Sequence, residues 1–363
     1  MIMSKPSESS IHSGEIWLVI DSLKFGGIET HVRELASGLV KFGQPVRVVF
    51  LQRYAQPQFL TEALSALGLS WSFLSDLQTQ QGLISQLYSA VKKYRPLLLH
   101  AHGYKASLCT RAVKLLSGIA QFSTYHAGET PTGRVWLYDW LDRYSAFVSN
   151  QAICVSDAIA HKLPVNSLVM NNFIAQPKAN DSNAKQIAFI GRLSQEKAPD
   201  RFVKLAQHFS ELPFHLYGDG PLREPLSQNA PSNLTFHGHV ADMDEHWQDI
   251  ALVVIPSRFE GLPMVSLEAM GRGIPVIAAK VGALPTLITH GANGWISDSD
   301  LALRECLEQW LCLPAQQRQL IGQRARQTVN QSYTDQAVIP QLLALYRLKS
   351  GYHKSRARSS NRH

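Results

Sequence analysis

Only four cysteines occur in 363 residues, Cys109, Cys154, Cys306 and Cys312, and none has a paired spacing. That excludes a disulfide-stapled scaffold and a cysteine-based zinc or redox motif, and such sparse use suits a reducing compartment. Long apolar runs are missing as well. No stretch reaches the roughly 18 residues of a membrane span, and the first apolar run, Ile16 to Ile20, is too short for a signal peptide and follows Glu15. A soluble, cytoplasmic protein is the expectation. Charged residues are 17% and hydrophobic ones 45%, too little charge for a disordered or coiled-coil chain and enough apolar content for sizeable cores. There is no G-x-G-x-x-G, so a nicotinamide-dependent dehydrogenase has no support, and no G-x-S-x-G, so neither has a serine hydrolase.

What is present is length for about two domains and a formal charge of +7 that is unevenly placed. Residues 1–175 carry 15 Lys and Arg against 11 Asp and Glu, residues 176–346 carry 14 against 17, and residues 347–363 carry 6 against none. A basic balance invites nucleic acid, an anionic membrane or a phosphorylated ligand. Nucleic acid is disfavoured, because the basic tail lacks interleaved aromatics and no reading module is present.

Short β-branched runs alternate with amphipathic segments, the pattern of βα units feeding a parallel sheet. The first series is IWLVI (16–20), VRVVFL (46–51), LLLH (97–100), FSTY (122–125) and QAICV (151–155), with Ile28, Val32, Leu35, Ala36 and Leu39 at helical spacing after the first strand. A second series is IAFI (187–190), FHLY (214–217), LTFH (234–237), LVVI (252–255) and PVIA (275–278). The expectation is an α/β chain of two tandem Rossmann-like doubly wound domains facing a cleft: a polar, disordered leader 1–13, a first domain 14–172, a linker 173–186 and a second domain 187–333. A helix 334–349 then crosses back to the first domain, and a basic disordered tail 350–363 follows.

The densest chemical signal is SRFEGLPMVSLEAMGRGIPVIAAKVGALP, residues 257–285. Pro256 ends a strand, Gly261 and Pro263 shape a tight loop, and the helix from Met264 offers free N–H groups, a ready anion site. Glu260 precedes that helix and Glu268 sits in its second turn, so both can face one ligand. Read singly, Glu260 is a helix-capping acid and Glu268 a solvated helix residue. The pairs Asp242/Asp244 and Asp298/Asp300 look like metal-binding D-x-D, but both precede helical segments, and N-capping explains them better.

Together, the spaced glutamates, the G-x-P-V-I-A that follows and the element FIGRLSQEKAPDRF (189–202) resemble the retaining GT-B glycosyltransferases of family 4, also called group 1. The likeness runs from Ile16 to about Tyr346. It implies the GT-B fold and transfer of a sugar from a nucleotide-diphosphate sugar to a glycan or lipid-linked acceptor, with no metal and no further cofactor. By position in the family's motifs, Arg192 and Lys197 serve the donor diphosphate, Glu260 the sugar hydroxyls, Glu268 the ribose and His126 of STYHAGE the sugar. Gly191, the Gly218 and Gly220 turn of YGDGP, the Gly26 and Gly27 loop, and the Gly261, Leu262, Pro263 and Met264 segment line the donor. A guanidinium and an ammonium suit a leaving group that gains negative charge. His102 reads as a satisfied loop histidine. Two departures stand out: Ala198 follows Lys197 where glycine is usual, and Thr286 follows Pro285 where Glu is common.

No carboxylate of the first domain stands where the family would place a nucleophile. The resemblance therefore implies same-face transfer, a donor phosphate oxygen taking the acceptor proton. Relatives of this type build lipopolysaccharide, capsule or other lipid-linked glycans, which implies a peripheral position at an anionic membrane. The rival readings are a nucleotide-sugar epimerase or hydrolase on the same fold, and a non-catalytic sugar-nucleotide-binding scaffold.

Overall fold

The computed structural model describes residues 11–21, 27–54, 59–79, 82–126, 134–180, 184–240 and 242–350. It divides into two compact units, one formed by the chain up to Asn171 together with the segment from Asp335, the other by Asn172–Thr334.

The first unit holds seven parallel strands, β1 Ile16–Ile20, β2 Val46–Phe50, β3 Ser70–Phe73, β4 Leu98–His102, β5 Ala120–Tyr125, β6 Gln151–Cys154 and β7 Ser167–Val169. Their order is β3-β2-β1-β4-β5-β6-β7, so the winding direction reverses between β1 and β4. Every residue of β1, β2 and β4 is buried, as expected when helices cover both faces of a parallel sheet and each strand reads as one apolar run. The second unit holds six parallel strands, β8 Gln186–Ile190, β9 Phe214–Tyr217, β10 Leu234–Gly238, β11 Ile250–Ile255, β12 Val276–Ala279 and β13 Trp295–Ser297, in the order β10-β9-β8-β11-β12-β13. Here the reversal falls between β8 and β11. Two doubly wound α/β units are therefore present.

The sequence reading finds the ten other strands but not β3, β7 and β13, and all three of these lie at sheet edges. An edge strand is short and half-covered, so SWSF, SLV and WIS lack the apolar run that marks a central strand.

Several expected boundaries shift. Residues 1–10 lie outside the described residues, but Ile11 packs against the core of the first unit, and the His12 amide donates to Glu15 at 3.1 Å. Within the expected linker, Phe173 and Ile174 are buried and Asn180 donates to the Trp247 carbonyl at 2.7 Å, while residues 181–183 lie outside the described residues. The final helix runs Asp335–Ser350, and the tail from Gly351 lies outside the described residues. That helix belongs to the first unit. Lys41 pairs with Asp335 at 2.8 Å, the Tyr346 hydroxyl sits 2.6 Å from His100 Nδ1, and Asn150 donates to the Lys349 carbonyl at 2.8 Å. The four cysteines are free thiols.

One buried ion pair locks the N-terminal side of the first sheet. Arg47 on β2 forks onto both oxygens of Glu15 at 2.9 and 3.1 Å and onto Ser72 at 3.1 Å, while Trp17 Nε1 donates to Glu15 at 3.1 Å. Arg47 and Glu15 side chains are 1% and 4% exposed, so either alone would be an uncompensated buried charge. Arg47→Ala is expected to lower unfolding free energy by about 3–5 kcal/mol, whereas Arg47→Met with Glu15→Leu should cost far less. Urea unfolding of the two variants checks this.

Candidate active site

In doubly wound sheets, ligands bind beyond the carboxyl ends of the strands at the point where strand order reverses. In the second unit that point lies between the loops after β8 and β11, and they carry the densest motifs. Arg192 and Lys197 follow β8; Glu260 follows β11. The Lys197 ammonium lies 2.8 and 2.7 Å from the two Glu260 oxygens, and Ser257 Oγ donates to Glu260 at 2.7 Å. The Glu260 side chain is 6% exposed and that of Lys197 31%. An ammonium has three N–H donors, so two are committed to the carboxylate and one is left. Glu260 caps nothing. The helix Met264–Gly271 starts after Pro263 with no side-chain cap, and the amides of Met264 and Val265 have no intrahelical acceptor.

Main-chain bonds zip the two loops together. The Arg258 and Phe259 amides donate to the Glu196 carbonyl at 2.8 and 3.3 Å, and the Arg258 guanidinium grips Asp200 at 2.9 and 2.7 Å. Burial works to raise the Glu196 carboxyl, but the Ser194 hydroxyl and the charges of Arg192 and Lys197 outweigh it and hold it below the usual range. Arg192 is exposed, and its guanidinium makes no hydrogen bond or ion pair among the described residues. Ala198, at φ +53°, occupies the left-handed region that glycine enters freely, which explains why glycine is the usual residue there.

The glycines are close-packing devices. Gly191 extends the ladder to β9, its amide donating to the Tyr217 carbonyl at 2.9 Å, and the Gly218 amide donates to the Gly238 carbonyl at 2.7 Å. A Cβ on Gly218 would stand 1.9 Å from the Gly191 carbonyl oxygen, and one on Gly220 2.5 Å from that of Leu193. Gly282, which sequence reasoning missed as a site residue, is as tight: a Cβ there would lie 2.3 Å from the carbonyl oxygens of both Glu260 and Gly261. Asn172, expected as the last residue of the first domain, belongs to the second unit, where it is buried and donates to the Leu262 carbonyl at 2.8 Å. Its only sequence signal is its place just before an apolar pair. Glu268 is half-buried in the second turn of its helix. Beside the Glu260 loop a cavity of about 280 Å³ opens, lined by Arg201, Arg258, Lys280 and Asp300 among others; Arg201 pairs with Asp300 at 2.8 Å.

The two D-x-D look-alikes do other work than expected. Ser299, not an aspartate, caps the helix Asp300–Cys312, accepting from the Ala302 amide at 3.1 Å. Asp242 accepts from the Asp244 amide at 2.9 Å in a turn, and Asp244 pairs with Arg272 at 2.5 Å.

In the first unit the reversal point lies between β1 and β4. Gly26 lies outside the described residues; Gly27 opens the helix Gly27–Lys41, which delivers His31. His102 ends β4 and His126 follows β5. Their rings converge: His102 Nδ1 and His126 Nε2 are 3.1 Å apart, and the His31 and His126 centroids 4.6 Å. His102 is thus a buried strand-end residue, and its Nε2 has no partner among the described residues, contrary to the satisfied loop histidine expected. Among the described residues these three are the group whose ring nitrogens come within 4.8 Å of one another. The 3.1 Å contact is itself a hydrogen bond, one neutral ring donating to the other. Burial, then neighbouring imidazoles, hold His102 and His126 well below the usual imidazole range, and His100 falls to about 3.

Comparisons with known proteins bear on the family and the fold. Residues 184–312 match the family described as Glycosyl transferases group 1, and residues 25–164 match Glycosyltransferase Family 4. An uncharacterized glycosyltransferase of Methanocaldococcus jannaschii is 26% identical over 44% of this chain, which spans about half (48%) of that relative. The Escherichia coli UDP-Gal:alpha-D-GlcNAc-diphosphoundecaprenol alpha-1,3-galactosyltransferase is 24% identical over 61% of this chain and 67% of its own length. Among solved structures, Anabaena HepE in complex with UDP and glucose superposes with a TM-score of 0.76 at 18% identity, covering 91% of this chain and 98% of that one. TarM gives 0.77 at 12% identity, covering 92% and 98%. At these identities the structures establish a shared GT-B fold.

Two outcomes follow. Gly218→Ala forces the β8 and β9 loops apart and should destabilise the second unit by about 2 kcal/mol or more, read as a lowered midpoint in thermal melts. An unfolded histidine binds its proton near 6.5, while buried His100 does so only near 3. Below pH 6.5 the unfolded chain therefore holds more protons, and stability falls with pH by up to about 1.4 kcal/mol per unit for each such histidine. Denaturant titrations between pH 7.5 and 5 should show that loss, with a shallower slope in His102→Phe.

Proposed function

Because this chain belongs to the group 1 and family 4 glycosyltransferases, with the GT-B architecture of two parallel α/β units, we propose that it moves a sugar from a uridine-diphosphate sugar to a lipid-linked glycan acceptor, with retention at the anomeric carbon, in cell-surface polysaccharide or lipopolysaccharide assembly. The observation that carries the reading is the Lys197–Glu260 contact at the strand-order reversal of the second unit, on the same loop after β8 that bears Arg192. UDP is favoured as leaving group by the solved relatives that hold it, and a lipid-linked acceptor by the name of the Escherichia coli relative.

In this account the second unit takes the donor. Arg192 and the remaining N–H of Lys197 face the diphosphate, joined by the Met264 and Val265 amides at a helix N-terminus. Charge develops on the leaving diphosphate as the bond breaks, and these fixed donors lower its energy most at that moment. Cations of the chain supply what a metal would otherwise supply. Glu268 takes the ribose hydroxyls; Glu260, while holding Lys197, takes the sugar hydroxyls; His126 of the first unit is the histidine assigned to the sugar. Both Glu260 oxygens are already engaged by Lys197 and Ser257, which disfavours it as a covalent nucleophile. Transfer then proceeds on one face: the bond from anomeric carbon to phosphate oxygen breaks, the acceptor oxygen bonds to that carbon, and its proton goes to a donor phosphate oxygen. The first unit takes the acceptor, and the protein works peripherally at the inner face of the cytoplasmic membrane.

Incubation with a panel of UDP-sugars and lipid-diphosphate acceptors tests the reading. Transfer should require both substrates, whereas an epimerase would act without acceptor and a scaffold not at all. Lys197→Met and Glu260→Gln should each lower kcat/KM by about two to three orders of magnitude. Unchanged transfer in Lys197→Met would refute the site.

A further inference from the structure

The helix Arg134–Tyr144 of the first unit is built inside out. An ordinary surface helix turns its apolar stripe to the core and its charges to water. Here Trp136, Leu137, Tyr138, Trp140, Leu141 and Tyr144 are 39–55% exposed, while Asp142 is 4% exposed. Asp142 is not stranded there. Arg111, 3% exposed on the neighbouring helix Tyr104–Ser117, pairs with it at 2.7 Å and also reaches Ser145, Ser149, Ser123 and Tyr125. Burial pushes the Asp142 carboxyl up to about 6 against the pull of Arg111, which leaves it ionised at neutral pH. Tyr138 stacks on Tyr104 at 5.9 Å and Trp140 lies 4.8 Å from Tyr144. A buried ionic clamp thus fixes the helix with its aromatic side outward. At about half exposure, six such side chains present on the order of 500 Å² of apolar surface, at the upper end of what a monomer shows.

We propose that this helix is the membrane-docking element of the protein, seating its Trp, Tyr and Leu side chains in the headgroup region of an anionic bilayer. Trp and Tyr with Leu on one side of a helix are the side chains that favour the lipid–water boundary, where a ring is buried and its N–H or O–H stays wet. Charge selects an anionic surface. Residues 1–171 and 335–363, the unit that bears the helix, carry 21 Lys and Arg against 12 Asp and Glu, whereas residues 172–334 carry 14 against 16. A second copy is the weaker occupant, because it would set this net-positive unit, with 21 Lys and Arg to 12 Asp and Glu, against its own like. The proposal deepens the lipid-linked-acceptor reading, since docking would bring the first unit to such an acceptor. Membrane binding is measured without donor or acceptor, so it fails or succeeds apart from the transfer reaction.

The test uses the full chain and intrinsic fluorescence. Of the seven tryptophans, Trp17, Trp71, Trp247, Trp295 and Trp310 are at most 5% exposed, so a response to vesicles reports Trp136 and Trp140. With phosphatidylglycerol-containing vesicles, emission should shift to the blue and be quenched by brominated lipid. The variant Trp136→Ser/Trp140→Ser/Tyr144→Ser, altered only at exposed positions, should melt like the parent and co-sediment with those vesicles roughly tenfold less. Co-sedimentation equal to the parent's would place binding elsewhere and overturn the proposal, as would a parent that stays in the supernatant. Light scattering showing a stable dimer that the triple variant dissolves would assign the face to a second copy and overturn it too.

Discussion

A lysine and a glutamate 63 positions apart in sequence hold the donor end of the second unit together. Lys197 closes the loop after β8 and Glu260 the loop after β11, and the pair spans the gap where the sheet's winding reverses. Both Glu260 oxygens are occupied, by that ammonium and by Ser257, and only 6% of the side chain is exposed. A charge-assisted hydrogen bond of this kind contributes about 1.5–3 kcal/mol. Its larger consequence is positional: Arg258 on Asp200 and the Arg258 and Phe259 amides on the Glu196 carbonyl presuppose that these loops stay within reach of one another, while Gly218 and Gly220 pack the β9 loop on the first and Gly282 the β12 loop on the second. The same lysine that stabilises the loops is the cation assigned to the diphosphate, so fold and chemistry rest on one interaction.

The first unit repeats the logic with different chemistry. Its reversal point gathers histidines beside a Lys105–Asp21 ion pair at 3.1 Å, and burial keeps His100, His102 and His126 neutral. Neutral imidazoles donate and accept hydrogen bonds without repelling a sugar or neutralising a phosphate, which suits a surface meeting hydroxyls. The final helix is bound into this unit through Asp335, Tyr346 and Lys349. Tyr346 reaches His100, which in turn lies 2.7 Å from Thr124 on β5, so the chain's last helix sets one wall of the histidine cluster.

Central strands were legible because burial on both faces demands unbroken apolar runs; β3, β7 and β13 were not, because an edge strand tolerates Ser and needs only three or four residues. Arg192, Lys197, Glu260 and the glycines could be named from motif resemblance, but the Lys197–Glu260 contact could not. Nothing local in 189–202 or 257–263 states that two loops meet across a sheet. His31 was hidden for the same reason: it reads as one more polar position on an amphipathic helix, and only the β1/β4/β5 topology brings it to His102 and His126. The inside-out helix Arg134–Tyr144 escaped because aromatic residues at helical spacing look like core, and which side they face depends on Arg111 holding Asp142.

The central claim is that a nucleotide diphosphate is held at the β8/β11 reversal of the second unit. Amide hydrogen exchange with and without saturating UDP tests it most directly. The account predicts added protection in residues 191–197, 218–220 and 258–266, with the buried strands of the first unit unchanged. Protection confined to the first unit, or none at the Lys197 and Glu260 loops despite saturation, would contradict it.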